Sequence, residues 1–81
     1  MKLPRDLSGK DFVQLLHPYG YVIVRQHGSH IRLVSNFRGT PHHVTVPDHP
    51  ELKIGTLRAL LRLVSEYLEM DISTLAQELF G

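Results

Sequence analysis

Residues Tyr19–Phe37 read YGYVIVRQHGSHIRLVSNF, and the fold depends on how this stretch is divided. Tyr19–Gln26 (YGYVIVRQ) is rich in β-branched and aromatic side chains, which suit a pleated, half-buried surface, so it reads as a strand. Gln26-His27-Gly28-Ser29 breaks the run as a turn, and His30-Ile31-Arg32-Leu33-Val34-Ser35-Asn36-Phe37 resumes it as a second strand. Arg38-Gly39-Thr40-Pro41 is a further turn signal, and His42-His43-Val44-Thr45-Val46-Pro47 follows as a third strand ended by its proline. Connections this short join neighbouring strands, so the three form an antiparallel meander.

Helices flank the strands. Upstream, Ser8 is an N-cap with Asp11 three residues on, and Leu7 with Phe12 makes a hydrophobic staple. Phe12, Leu15 and Leu16 continue at helical spacing until Pro18 and Gly20 stop the helix. Downstream, Ile54–Leu68 carries Leu57, Leu60, Leu61, Val64 and Leu68 at i, i+3, i+4 spacing, the apolar stripe of an amphipathic helix. Ile72–Phe80 is a last short helix with Asp71 as its cap. The expectation is one α+β domain over residues 1–81, ordered α-β-β-β-α with an appended helix, its core spanning about 8–68 and the extra helix about 71–80.

Eighty-one residues bury a modest core, so function is expected on an open surface rather than in a deep cavity. The chain has no cysteine, which removes disulfides, thiolate nucleophiles and zinc–thiolate sites. No apolar run is long enough to span a bilayer and the N-terminus lacks the apolar segment of a signal peptide, so a cytoplasmic address without membrane contact is expected. Residues 1–62 hold all nine Lys and Arg against four acids, while residues 63–81 hold four acids and no base. A basic body with an acidic tail suits a polyanionic ligand, though charge runs are also simply solvated faces.

Strand alternation sorts the side chains. With Ile31 and Leu33 turned to the helices, His30 and Arg32 face outward; with Val44 and Val46 inward, His43 and Thr45 face outward. The same rule applied to the first strand puts Val22 and Val24 inward and leaves Tyr21, Ile23 and Arg25 outside. The open face then carries Arg25, His30, Arg32 and His43, with Tyr21 and Ile23 as an apolar patch. Such a face suits either phosphate or a protein partner.

Ser8–Leu16 (SGKDFVQLL), the aromatic strand, Gly28-Ser29-His30 opening the next strand, Val44–Pro47 (VTVP) and Leu52–Leu61 (LKIGTLRALL) occur in an order that resembles the HicA-type toxins of bacterial toxin-antitoxin systems. The resemblance runs from Ser8 to about Leu63, and the final helix resembles the extra C-terminal helix of some members. It implies a double-stranded-RNA-binding-domain-like fold and mRNA interferase activity. It further implies that His30 is the catalytic residue and that a HicB-like antitoxin neutralises the toxin by direct binding. In the family a basic residue often precedes Gly-Ser-His; here that residue is His27.

RNA cleavage needs little apparatus, because the 2′-hydroxyl is a built-in nucleophile. His30 suits the role of base, since imidazole exchanges protons near neutrality. Gly28 permits a tight turn, and the Gly28 and Ser29 amides can reach a phosphate oxygen. Lys53, at the start of the long helix, is expected on the RNA backbone because folds of this kind use shape and phosphate rather than base edges. Arg58 and Arg62 lie one turn apart on that helix; Arg58 is grouped with the RNA contacts, and Arg62 is read as solubilising. Five histidines (His27, His30, His42, His43, His49) raise the question of a metal, but their spacing matches no compact zinc pattern and His42 and His43 should face opposite ways. The expectation is therefore an endoribonuclease working on mRNA without metal or small-molecule cofactor. The alternatives are a non-catalytic RNA-binding module of the same fold and a protein-interaction domain whose open face serves only an antitoxin-like partner.

Overall fold

The computed structural model describes the chain from Met1 to Gly81. Helix α1 (Gly9–Leu16) starts where the Ser8 hydroxyl accepts the Asp11 N–H at 3.0 Å, satisfying one of the amides that a helix start leaves without a partner. A 3-10 turn, His17–Tyr19, carries Pro18 and hands the chain to the sheet. Strands β1 (Val22–His27), β2 (His30–Ser35) and β3 (His42–Pro47) form one antiparallel sheet in that order. Helix α2 (Ile54–Leu68) and helix α3 (Ile72–Phe80) complete the α-β-β-β-α-α order expected from the sequence.

Both helical stripes are buried as their spacing requires. Phe12 and Leu16 from α1 meet Leu57, Leu60, Leu61, Val64 and Leu68 from α2 in a single core with Ile31, Leu33, Val44 and Val46 from the sheet. Leu61 and Leu33 are fully buried, and truncation of a side chain so placed costs about 2–5 kcal/mol. Asp71 caps α3 by accepting the Ser73 and Thr74 N–H groups, and Leu75 and Ala76 dock on the rest of the core. Gly9 marks the closest backbone approach: a Cβ there would lie 1.9 Å from the Pro47 carbonyl oxygen. Its N–H donates to the His49 carbonyl at 3.0 Å, so the end of β3 lies directly on the start of α1.

Strand β1 departs from simple alternation. Tyr21, expected outside, is buried at 1% exposure, while Val22 and Val24, expected inside, are 46% and 53% exposed. The cause is a β-bulge: Ile23 pairs with Leu33, Arg25 pairs with Arg32, and Val24 has no opposite number. One surplus residue reverses the facing of everything before it relative to everything after it. β1 is also an edge strand, and α1 and α2 both pack on β3 at the other side of the sheet. No helix therefore covers Ile23, which remains 55% exposed.

The loop between β2 and β3 is held by α2. The Tyr67 hydroxyl donates to the Thr40 carbonyl at 2.6 Å and accepts the Arg38 N–H at 2.8 Å. Buried Ser35 donates its hydroxyl to the Tyr19 carbonyl at 2.7 Å and accepts the Phe37 N–H. The phenol of Tyr21 lies 2.7 Å from His42 Nδ1, and the His42 ring stacks on Tyr67 with centroids 4.6 Å apart. Burial raises the Tyr21 pKa and lowers that of His42, so the phenol O–H donates and the neutral imidazole accepts.

Candidate nucleic-acid interface

The hairpin between β1 and β2 closes on two residues, Gly28 and Ser29. Gly28 has φ of +60° and Ser29 does not take a positive φ, the pattern of a II′ turn, whose twist matches that of paired strands. No atom lies within 4 Å of where a Gly28 Cβ would stand, so the conformation rather than space calls for glycine, and the backbone is open to an approaching ligand. The turn is braced from behind. Asp48 N–H donates to the Ser29 carbonyl at 2.7 Å, and the Gln26 amide donates to the Gly28 carbonyl and to the Asp48 carboxylate at 3.2 and 3.0 Å.

Two rows of side chains cross the outer face beside this turn. His27 pairs with His30, which pairs with Pro47; Arg25 pairs with Arg32, which pairs with Thr45. Arg25, His27, His30, Arg32 and Thr45 line one shallow depression of about 200 Å³ that contains no apolar side chain. Directly opposed side chains have Cβ atoms about 4.5–5.5 Å apart, and like charges set so are destabilising. Neither arginine is relieved by a carboxylate, since the chain's two ion pairs are Lys10–Asp48 and Arg38–Glu69. The rings of His27 and His30 make no hydrogen bond within the chain. Four nitrogen-bearing heads thus point at the same small volume, an arrangement that a bound anion would relieve.

The expected site residues divide in two. Arg25, Gly28, Ser29, His30 and Arg32 come together at the depression and its turn. Lys53 and Arg58 do not join them. Lys53 is the exposed N-cap of α2 and makes no side-chain capping bond. Arg58 lines one groove with Lys2, Arg5 and Ile54 and another with Arg62 and Leu63, and neither groove includes a strand residue. His42 and His43 do face opposite ways, His42 packed on Tyr67 and His43 exposed. No group of three His, Asp or Glu side chains gathers as a metal site would require. The expected apolar patch is altered: Tyr21 belongs to the core, and exposed Val22, Ile23 and Val24 take its place along β1.

Sequence reasoning missed two features. In sequence His27 reads as part of the turn, where the family often has a basic residue, yet the register makes it the direct partner of His30. The Gln26–Asp48 brace joins residues 22 apart, and no local pattern announces it.

A family model described as HicA toxin of bacterial toxin-antitoxin matches residues 9–64, from the first turn of α1 into α2. The chain belongs to the HicA toxin family. Neither the curated proteins nor the solved structures compared with it include a match. Membership makes the chain the toxin of a toxin-antitoxin pair and implies an antitoxin partner. The matched span includes the whole depression, whereas α3 lies beyond it. No helix of this HicA-family chain is long and apolar enough to cross a membrane.

Proposed function

We propose that the chain is a metal-independent endoribonuclease, an mRNA interferase of the cytoplasm, with His30 as its general base. What supports the reading is one observation: two directly opposed pairs, His27–His30 and Arg25–Arg32, share a depression that no carboxylate enters. Arg25 and Arg32 hold the phosphate, and their charge stabilises the pentavalent transition state. The Gly28 and Ser29 amides, in the turn that joins His27 to His30, add further donors to the phosphate. His30 takes the proton of the RNA 2′-hydroxyl, the oxygen attacks phosphorus, and the P–O5′ bond breaks. The products are a 2′,3′-cyclic phosphate and a 5′-hydroxyl end that gains one proton.

The test is incubation of purified protein with naked RNA in the presence of a chelator. Cleavage is expected, with a cyclic or 3′-phosphate at the new end and resistance where the 2′-hydroxyl is absent. His30→Ala should lower the rate by about 10²–10⁴ and cost under about 1 kcal/mol of stability, because the side chain is exposed. Wild-type cutting by a folded His30→Ala protein overturns the mechanism. RNA binding with no cleavage by the wild type would leave a non-catalytic RNA-binding module.

The partner in this reading is a HicB-like antitoxin that covers the open face of the sheet. The support is the exposed apolar pair Val22 and Val24, on the strand that carries Arg25 and His27. Hydrogen exchange of the complex should protect β1 and β2. Protection confined to the helices overturns this placement.

A further inference from the structure

We propose that His27 is the general acid of this site, donating the proton that the departing 5′-oxygen takes up. The inference rests on the nuclease reading above and adds a second catalytic residue to it. Phosphoryl transfer from the 2′-hydroxyl needs two proton movements on opposite sides of phosphorus, one off the nucleophile and one onto the leaving group. A lone His30 can perform only one of them in a single step.

Three observations select His27 for the other. It is the direct cross-strand partner of His30, so the two side chains leave the sheet side by side, with Cβ atoms about 5 Å apart. Both line the same depression as Arg25 and Arg32, which bind the phosphate between them. Neither imidazole is engaged by another group of the chain, so each is free to turn to a substrate oxygen. The II′ turn at Gly28 and the Gln26–Asp48 brace fix this spacing. The rest of the lining is two arginines, whose guanidinium does not give up a proton in proteins, and a threonine.

The balance is complete. His30 begins neutral and ends protonated, while His27 begins protonated and ends neutral. The 2′-oxygen loses a proton and gains a bond to phosphorus, and the 5′-oxygen loses that bond and gains a proton. Exchange with water returns both rings to their starting states. Such a pair gives a bell-shaped pH dependence of kcat/KM, with one limb for each ring.

The deciding experiment compares RNA of one sequence carrying either the natural 5′-oxygen or a bridging 5′-sulfur at the cleaved position. A thiolate leaves without a proton, so loss of the general acid ceases to matter. His27→Ala should lower cleavage of the oxygen substrate by about 10²-fold or more and come within a few-fold of wild type on the sulfur substrate. His30→Ala should be slow on both. The basic limb of the pH profile should vanish in His27→Ala and the acidic limb should remain. His27→Lys places an ammonium, a far weaker acid than an imidazolium, at the same position; it should bind RNA and cut poorly. Wild-type cutting by His27→Lys, or a His27→Ala defect of equal size on both substrates, overturns the assignment and leaves the nuclease reading intact. A wild-type protein that cuts neither substrate overturns both.

Discussion

Tyr21 and Arg25 stand four residues apart and yet lie on opposite faces of the sheet, Tyr21 in the core and Arg25 in the outer depression. In regular alternation they would share a face. The bulge at Val24 separates them, so a five-residue stretch at the start of β1 supplies both a core anchor and an arginine of the outer depression.

Removal of Val24 is therefore expected to be tolerated. Ile23 already opposes Leu33, and Arg25 already opposes Arg32, so the shortened strand closes into an unbroken ladder with both facings kept. The expected result is a thermal midpoint within a few degrees of wild type and unchanged affinity for RNA. Unfolding, or loss of RNA binding by a folded protein, would show that the twist added by the bulge matters in itself.

The salt dependence of RNA binding should divide the cations by surface. Each lost phosphate contact reduces the slope of log K against log salt by about 0.7 for a single strand. Arg25→Ala and Arg32→Ala are each expected to reduce it by roughly that amount. Lys53→Ala and Arg58→Ala should change it less, because neither residue reaches the depression. An equal fall at Lys53 would extend the RNA path to the start of α2.

Two glycine substitutions should act in opposite directions. Gly9→Ala places a methyl group 1.9 Å from a backbone oxygen that belongs to β3, and overpacking of this kind costs about 1–3 kcal/mol. At about 4–8 °C per kcal/mol for a domain of this size, the midpoint falls visibly. Gly55, in the first turn of α2, has nothing within 4 Å of its added Cβ. Alanine there should stabilise by about 0.4–1 kcal/mol through the unfolded state. Thermal melts of the two variants check both signs.

Acid should loosen the Tyr21–His42–Tyr67 cluster. The His42 pKa is lowered, first by burial and then by neighbouring His43. Between its folded and unfolded values the unfolded chain binds more protons, so stability falls as pH falls. The contribution is complete above the unfolded value of about 6.5 and is lost below it. His42→Phe keeps a ring on Tyr67, so the drop in midpoint from pH 7 to pH 5 should be smaller than in wild type. An identical drop would assign the pH dependence to other groups.

What the sequence determined by itself was everything governed by local chemistry. The apolar stripe from Leu57 to Leu68 defined α2, Ser8 and Asp71 set two helix starts, and a turn within Gln26–Ser29 closed the hairpin that brings His30 to the head of β2. Alternation alone turned His30, Arg32, His43 and Thr45 outward, because both β2 and β3 have one face against the helices. Only the tertiary structure decided β1. An edge strand without helical cover has no buried face to dictate its register, so the surplus residue at Val24 was invisible beforehand. The same holds for the pairing of His27 with His30, the Gln26–Asp48 brace, and the separation of Lys53 and Arg58 from the depression. Each depends on which distant segments meet, and that is decided when the whole core closes.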